Sequence, residues 1–197
     1  MAPALYNSLN RLIRGRSLVN EDAQIVSQIL SGKTSEYRRL VDRYQKPIFR
    51  FVHNLIGDQH DAEDITQDVF VAAFDHLRSF DARRASLSTW LFTIARNRSV
   101  NHLKRKRGPK TDLSDRSVRS HTATDDVARQ EFWQQLDEAL ALLPMEQKTA
   151  FVFAEIEQLP YAEIALIERT ALGTVKSRIH RAKQALRAVL EPTMREQ

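Results

Sequence analysis

The chain has 197 residues, of which 42% are hydrophobic and 28% charged, and 30 Lys and Arg against 25 Asp and Glu give a net charge of +5. This composition is typical of a globular protein, and only 5 Gly and 6 Pro favour helices over a turn-rich β-sandwich or barrel. Because cysteine is absent, disulfides, thiolate metal sites and cysteine nucleophiles are excluded. With no apolar run near about 18 residues and no signal peptide at the N-terminus, we expect a cytoplasmic protein without membrane insertion.

Apolar periodicity predicts an all-α fold of two small helical domains joined by a flexible linker. Gly, Ser, Thr and Asp dominate the segment interpreted as the linker. We expect an N-terminal lead, disordered or forming a short helix, then a first domain, the linker, a second domain and a C-terminal tail at 1–20, 21–107, 108–128, 129–190 and 191–197.

In chain order, the first domain contains helical patterns at 22–30, from about residue 35 to Gly57, at 61–78 and at 88–104. Pro47 should break or restart the second of these, since proline has no backbone N–H to donate. The second domain contains four further helical patterns, at 130–142, 145–157, 161–168 and 172–189.

Charge is distributed unevenly along the chain. Residues 57–75 contain six acids and no Lys or Arg, whereas 82–111 contain nine bases and 169–190 six bases, both without an acid. Solvated surfaces usually mix their signs, so the two basic segments indicate contact with a polyanion at two places. Basic surface helices that serve only solubility are the alternative interpretation.

The second domain shows the pattern of a helix-turn-helix. A short helix over 161–167 and a turn are followed by a helix that begins near Gly173. Its apolar residues form one stripe, and its opposite face is basic, as insertion into a DNA major groove requires. Plain helix packing explains the spacing equally well. The stripe consists of Val175, Ile179, Ala182 and Leu186.

These residues resemble bacterial extracytoplasmic-function (ECF) sigma factors. GTVKSRIHRAK at 173–183 is similar to the signature of region 4 in that family. Segments similar to region 2 occur in the family's order: RYQKP at 43–47, DAEDITQDVF at 61–70 and WLFTIARN at 90–97. The resemblance implies a promoter-specificity subunit of RNA polymerase. Region 2 would bind the β′ clamp coiled coil and recognise the −10 element, and region 4 would bind the β flap and recognise the −35 element.

Three residues of the acidic segment are implied to bind core RNA polymerase. Asp64, Gln67 and Asp68 are spaced i, i+3 and i+4, which places them on one helix face. An acidic face that carries an amide suits an Arg-rich partner. Neutralisation of the helix dipole accounts for Asp61 and Glu63 but poorly for Gln67 and Asp68.

The basic segment at 82–111 is implied to bind the −10 element. By resemblance, the loop over 80–89 captures one non-template base and Asn97 helps to recognise it, while Lys104 and its neighbours hold duplex phosphates. We therefore expect the −10 site to include Phe80, Arg83, Arg84, Asn97, Arg98, Lys104 and Arg105.

The basic face of the last helix is implied to bind the −35 element. Lys176 and His180 are expected at base edges, and Ser177, Arg178 and Arg181 at phosphates. The chain departs from the family at Arg169, where many members have Gly. A positive φ at that position would cost a non-glycine residue about 1 kcal/mol or more.

Two other classes of protein are alternatives to a sigma factor. An enzyme is disfavoured because His60-Asp61 lacks the further ligands of a metal phosphohydrolase and no Gly-rich phosphate loop is present, so we expect no catalytic residue, metal or cofactor. A free-standing helix-turn-helix repressor or activator explains region 4 but not the segments at 57–75 and 82–111.

The resemblance also implies an anti-sigma factor as a partner, which the linker would accommodate.

Overall fold

The structure, a computed structural model, describes residues 21–106 and 127–194, with side-chain packing given for 21–106 and 135–190. The predicted lead, nearly all of the predicted linker and residues 195–197 lie outside this part of the chain. The described backbone is helical and contains no strand. The predicted all-α, two-domain fold is confirmed.

The first domain contains four α-helices: α1 (21–30), α2 (Tyr37–Ile56), α3 (Gln59–His76) and α4 (Leu87–Lys106). The second contains α5 (Val127–Leu142), α6 (Met145–Phe151), α7 (Tyr161–Glu168) and α8 (Leu172–Met194), with a π-helical turn at Val152–Ile156 between α6 and α7. Helix α8 therefore extends into the segment predicted as a tail.

Local signals explain where α2 ends and α3 begins. Gly57 has φ 82°, and its N–H donates to His53 O, which closes α2. A positive φ is easily adopted by glycine. The side chain of Asp58 then caps α3 by accepting a hydrogen bond from Asp61 N at 2.9 Å. This sharp turn lets α3 fold back against α2.

The expected break at Pro47 is wrong, because α2 continues through it. Proline removes one backbone hydrogen bond but does not by itself end a helix whose apolar face is buried. Ile48, Phe51 and Val52, directly after the proline, are fully buried. Their packing stabilises the continuous helix despite the missing bond.

The second domain packs directly on the first. Phe153, in the π-helical turn, stacks on Phe51 of α2 at 4.3 Å and meets Phe92 of α4 edge-on at 5.6 Å, both distances between ring centroids. Buried residues of α7 and α8, among them Ile164 and Ile179, belong to the same apolar core. Nothing in the helical periodicity predicted this contact, which we call the interdomain seam.

Candidate functional site

Helix α3 presents the predicted acidic face to solvent. Asp64, Gln67 and Asp68 are exposed, whereas Ile65 and Val69 point into the core. The structure therefore places the three predicted polymerase-binding residues together on one side of the helix.

An exposed valine that the sequence analysis missed continues this face. Val71 is 62% exposed and follows Gln67 and Asp68 by four and three residues, so it lies one turn further along the same face. Its signal in the sequence was an apolar residue outside the buried stripe. The face therefore offers two carboxylates, an amide and one apolar contact.

Tyr37 holds the far end of this face against α2. Its hydroxyl donates to Phe70 O at 2.6 Å, and its ring meets Phe74 edge-on at 4.9 Å. Burial, reinforced by the charge of Asp75, raises the pKa of Tyr37 to about 12. The phenol thus stays protonated and donating at neutral pH.

The loop before α4 combines an aromatic wall with exposed arginines. Phe80 is half-buried against Trp90, with ring centroids 5.5 Å apart. Arg83 and Arg84 are exposed. Arg83 donates from its side chain and its backbone to Asp81, and these hydrogen bonds lower the pKa of that carboxyl to about 2. Asp81 thus fixes the loop through these hydrogen bonds, while Arg83 and Arg84 face solvent.

On α4, Asn97, Arg98, Lys104 and Arg105 are all exposed. Arg98 Nη1 lies 3.5 Å from Asp68 Oδ2 on α3, so the predicted −10 surface adjoins the predicted polymerase surface.

Asp61 of α3 contacts two basic side chains of α4, and the first of them, His102, lies one turn beyond Arg98. Its Oδ2 lies 3.1 Å from His102 Nε2 and accepts from Lys106 Nζ at 2.9 Å. The hydrogen bond to Asp61 raises the pKa of Lys106. Among the residues that the structure describes, no group of three His, Asp or Glu side chains is placed to hold a metal ion.

Helices α7 and α8 form the predicted helix-turn-helix. The predicted stripe of α8 is buried from Val175 to Leu186. Arg169, in the turn, adopts φ 51° and ψ 48°, the left-handed conformation expected where many sigma factors have Gly. This conformation turns the chain from α7 into α8.

The predicted −35 residues divide into two groups. Lys176, His180 and Arg181 are exposed. Ser177 and Arg178 are half-buried. Ser177 Oγ donates to Thr174 O at 2.9 Å, and Arg178 Nη1 donates to Glu168 Oε2 at 3.1 Å. The first group forms the solvent-facing surface of α8, and the second lies at its flank.

Glu168 and Arg96 are two further residues that the sequence analysis did not select. Arg96 of α4 donates from Nε to the other oxygen of Glu168, Oε1, at 3.1 Å. The signal available for Arg96 was its place beside Asn97 in an acid-free segment. The signal for Glu168 was only that it is the last acid before the second basic segment.

Comparison with known proteins identifies the family. The families described as Sigma-70 region 2 and Sigma-70, region 4 match residues 40–108 and 133–186. Among the curated relatives, the RNA polymerase sigma-H factor of Pseudomonas aeruginosa is 30% identical over 188 residues, covering 89% of this chain and 97% of that protein. The ECF RNA polymerase sigma factor SigW of Bacillus subtilis is also 30% identical, over 84% of this chain and 94% of that protein.

A solved structure is similar over most of the chain. The sigma factor RpoE from Bartonella quintana, determined with the anti-sigma factor NepR, is 25% identical, has a TM-score of 0.65 and matches over 79% of this chain and 97% of that one. Within the described ranges, no helix is both long enough and apolar enough to cross a membrane. The chain therefore belongs to the ECF family of RNA polymerase sigma factors, the subunits that direct core polymerase to promoters for the initiation of transcription.

Proposed function

We propose that this sigma factor works through three surfaces carried by α3, α4 with its preceding loop, and α8. The observation that supports this assignment is the arrangement of these three helices. Each helix packs its buried apolar residues into the core, which leaves an acidic face of α3 and basic faces of α4 and α8 exposed to solvent. The domains implied are region 2 over 21–107 and region 4 over 129–190.

The α3 surface would bind the β′ clamp coiled coil of core polymerase. Asp64 and Asp68 would accept charge-assisted hydrogen bonds from arginines, and Gln67 would donate or accept beside them. Val71 adds apolar area to this contact. The Asp68–Arg98 pair, at 3.5 Å and with both side chains about half exposed, is weak enough to be exchanged for a partner arginine.

The α4 surface and its loop would bind the −10 element. Asn97 would hydrogen-bond a base edge, since an amide both donates and accepts. The half-buried Phe80 would form the wall of the pocket for an unstacked base. Arg83, Arg84, Arg98, Lys104 and Arg105 would hold phosphates.

The α8 surface would bind the −35 element in the major groove. Lys176 and His180 are four residues apart on the exposed face and would contact base edges. Ser177, Arg178 and Arg181 would contact phosphates, with Arg178 first leaving Glu168. The second domain would also bind the β flap.

The chain itself would contribute no catalytic group, cofactor or metal, because polymerase performs the phosphoryl transfer. It would act in the cytoplasm. We further propose an anti-sigma factor as a regulatory partner, a proposal supported by the similarity to the sigma factor solved with NepR.

Promoter opening by reconstituted holoenzyme tests this proposal. Asn97→Ala should slow open-complex formation about tenfold or more, because one good base contact contributes about 1–3 kcal/mol. Asn101→Ala is the matched control, since Asn101 is an exposed asparagine one turn further along α4. Equal rates for the two variants would contradict the −10 assignment. Tight binding of duplex DNA by the isolated chain as a dimer would instead indicate a free-standing repressor.

A further inference from the structure

The first residue of α8 is an exposed leucine to which the proposed −35 surface gives no role. Leu172 begins the helix and is 44% exposed. It lies outside the buried stripe, which starts at Val175. Because single exposed apolar residues are ordinary on protein surfaces, the role of Leu172 has to be argued from the residues around it.

Leu172 lies in one row with the two cations that are expected at base edges. Lys176 and His180 follow it by four and eight residues, and residues four apart are neighbours on a helix surface. All three are exposed. The segment at 169–190 contains no acid, so this row suits an anionic partner that presents an apolar group beside its polar ones.

The residue after this leucine is a glycine that neither packing nor backbone conformation requires. Gly173 lies in the first turn of α8, although glycine is less favourable in a helix than alanine. A Cβ built on it would meet no other part of the described chain within 4 Å, and its φ is not positive. A bare backbone at an exposed position allows a ligand to approach closely.

The chemistry of the major groove identifies the group that an exposed leucine would contact. The N-terminal residues of a recognition helix are those that reach base edges. These edges present hydrogen-bond donors and acceptors and one apolar group, the 5-methyl of thymine. A leucine against a polar edge would only remove water from that edge without replacing its hydrogen bonds. The thymine methyl is therefore the group on DNA that matches Leu172.

We propose that Leu172 is a further specificity-determining residue that contacts the methyl group of a thymine in the −35 element, while Gly173 leaves room for DNA to approach the first turn of α8. This inference rests on the proposed function, since it takes α8 as the helix that binds the −35 element. The row formed by Leu172, Lys176 and His180 thus recognises one thymine by its methyl group and neighbouring bases by their polar edges.

Replacement of thymine by deoxyuridine tests this contact, because deoxyuridine lacks only the methyl group and still pairs with adenine. The probe is a promoter duplex selected with the parent holoenzyme, in which each thymine of the −35 element, on either strand, is replaced in turn. At one thymine, the affinity of the parent holoenzyme should fall about fourfold, as one buried methyl group is lost. Leu172→Ala should bind the unmodified promoter at least about fourfold more weakly and lose nothing further with deoxyuridine.

Leu30→Ala is the matched control. Leu30 is 43% exposed and belongs to α1, outside the three proposed surfaces, so this variant should keep both the affinity and the sensitivity to deoxyuridine. Gly173→Ala tests the room for DNA. It should weaken binding at least about tenfold on every promoter sequence, although alanine should leave the melting temperature unchanged or higher. Circular dichroism establishes that each variant is folded.

Three results would overturn the inference: a −35 element in which no thymine is sensitive to deoxyuridine, equal sensitivity in the parent and Leu172→Ala holoenzymes, or undiminished promoter affinity of Gly173→Ala. Lys176→Ala separates such a failure from a failure of the proposed function. If Lys176→Ala weakens promoter binding and Leu172→Ala does not, only the thymine contact fails. If neither substitution nor any change in the −35 sequence alters the affinity, the assignment of α8 to the −35 element fails.

Discussion

Helix α4 and the part of helix α8 up to Leu190 are both basic and free of acids in sequence, yet their charges are paired differently in the fold. On α4, Arg96, Arg98, His102 and Lys106 each contact a carboxylate from another helix. On the exposed face of α8, no ion pair joins Lys176, His180 or Arg181 to another residue of the described chain. The basic charge of α4 is thus partly cancelled by carboxylates of other helices, whereas on α8 Arg178 and Lys183 are paired but Lys176, His180 and Arg181 stay exposed to solvent.

Under the proposed function, this difference predicts that the two helices recognise DNA differently. A helix that enters the major groove of intact duplex needs side chains that are ready to reach base edges. A surface that binds DNA only as the strands separate can keep its cations paired until phosphates displace the carboxylates. The comparison therefore predicts base-specific effects from α8 and mainly electrostatic effects from the basic end of α4.

The largest expected effect comes from disrupting the interdomain seam, which joins the domain of α4 to the domain of α8. Phe153→Ala removes a fully buried ring packed between Phe51 and Phe92 and should lower the free energy of unfolding by about 3–5 kcal/mol. Urea unfolding measures the change. Phe74→Ala is the control, because Phe74 is 43% exposed and should cost much less. Equal losses would show that the seam does not stabilise the protein.

A base-specific effect is expected from Lys176→Ala on α8. Holoenzyme affinity for its promoter should fall about 10- to 100-fold, with relaxed preference at one position of the −35 element, as one base contact of about 1–3 kcal/mol is lost. Arg187→Ala is the control. It removes an exposed arginine side chain further along the same helix and should change the affinity for the promoter far less. A uniform loss across sequences would place Lys176 at a phosphate instead.

The turn before α8 is strained, and Arg169→Gly should relieve that strain. A residue with a side chain at φ 51° is disfavoured relative to glycine, so the variant should gain about 0.5–1 kcal/mol in the free energy of unfolding. Arg169→Ala keeps the strain and separates it from the loss of the side chain. A lower stability for Arg169→Gly would show that side-chain contacts outweigh the backbone cost.

The smallest expected effect is electrostatic and belongs to α4. Lys104→Ala should reduce the slope of log affinity against log salt by about 0.9, because one phosphate contact is lost. Affinity titrations of holoenzyme on several promoter sequences check this, and the reduction should be the same for all of them. A sequence-dependent change would contradict a purely electrostatic role at this position.

Locally encoded features were predictable from the sequence, and long-range ones were not. The Gly57 terminus of α2 and the buried stripe of α8 follow from nearest neighbours and helical periodicity, whereas only the family resemblance drew attention to the turn at Arg169. The break expected at Pro47 was wrong because the burial of residues after it decides the outcome. The seam escaped prediction because Arg50 and Glu157 are 107 residues apart, and Arg96 and Glu168 are 72 apart.

The candidate site shows the same division. Helical spacing placed Asp64, Gln67 and Asp68 on one exposed face, and the structure agrees. Their role came from the family resemblance and stays a prediction. Val71 was missed because an apolar residue in a helix is ordinarily assigned to the core. Only the packing of α3 shows that this valine is exposed.

Binding to core RNA polymerase tests the central claim most directly. Fluorescence anisotropy would compare the parent protein with the α3 variant Asp64→Ala/Gln67→Ala/Asp68→Ala. The control is the α2 variant Glu36→Ala/Asp42→Ala, which also removes two negative charges, but from α2 and the short turn before it. We predict tight binding by the parent protein and by the α2 variant, and at least about a hundredfold loss in the α3 variant, because several charge-assisted contacts vanish together. Undiminished binding by a folded α3 variant would contradict the assignment of α3 as the polymerase-docking surface.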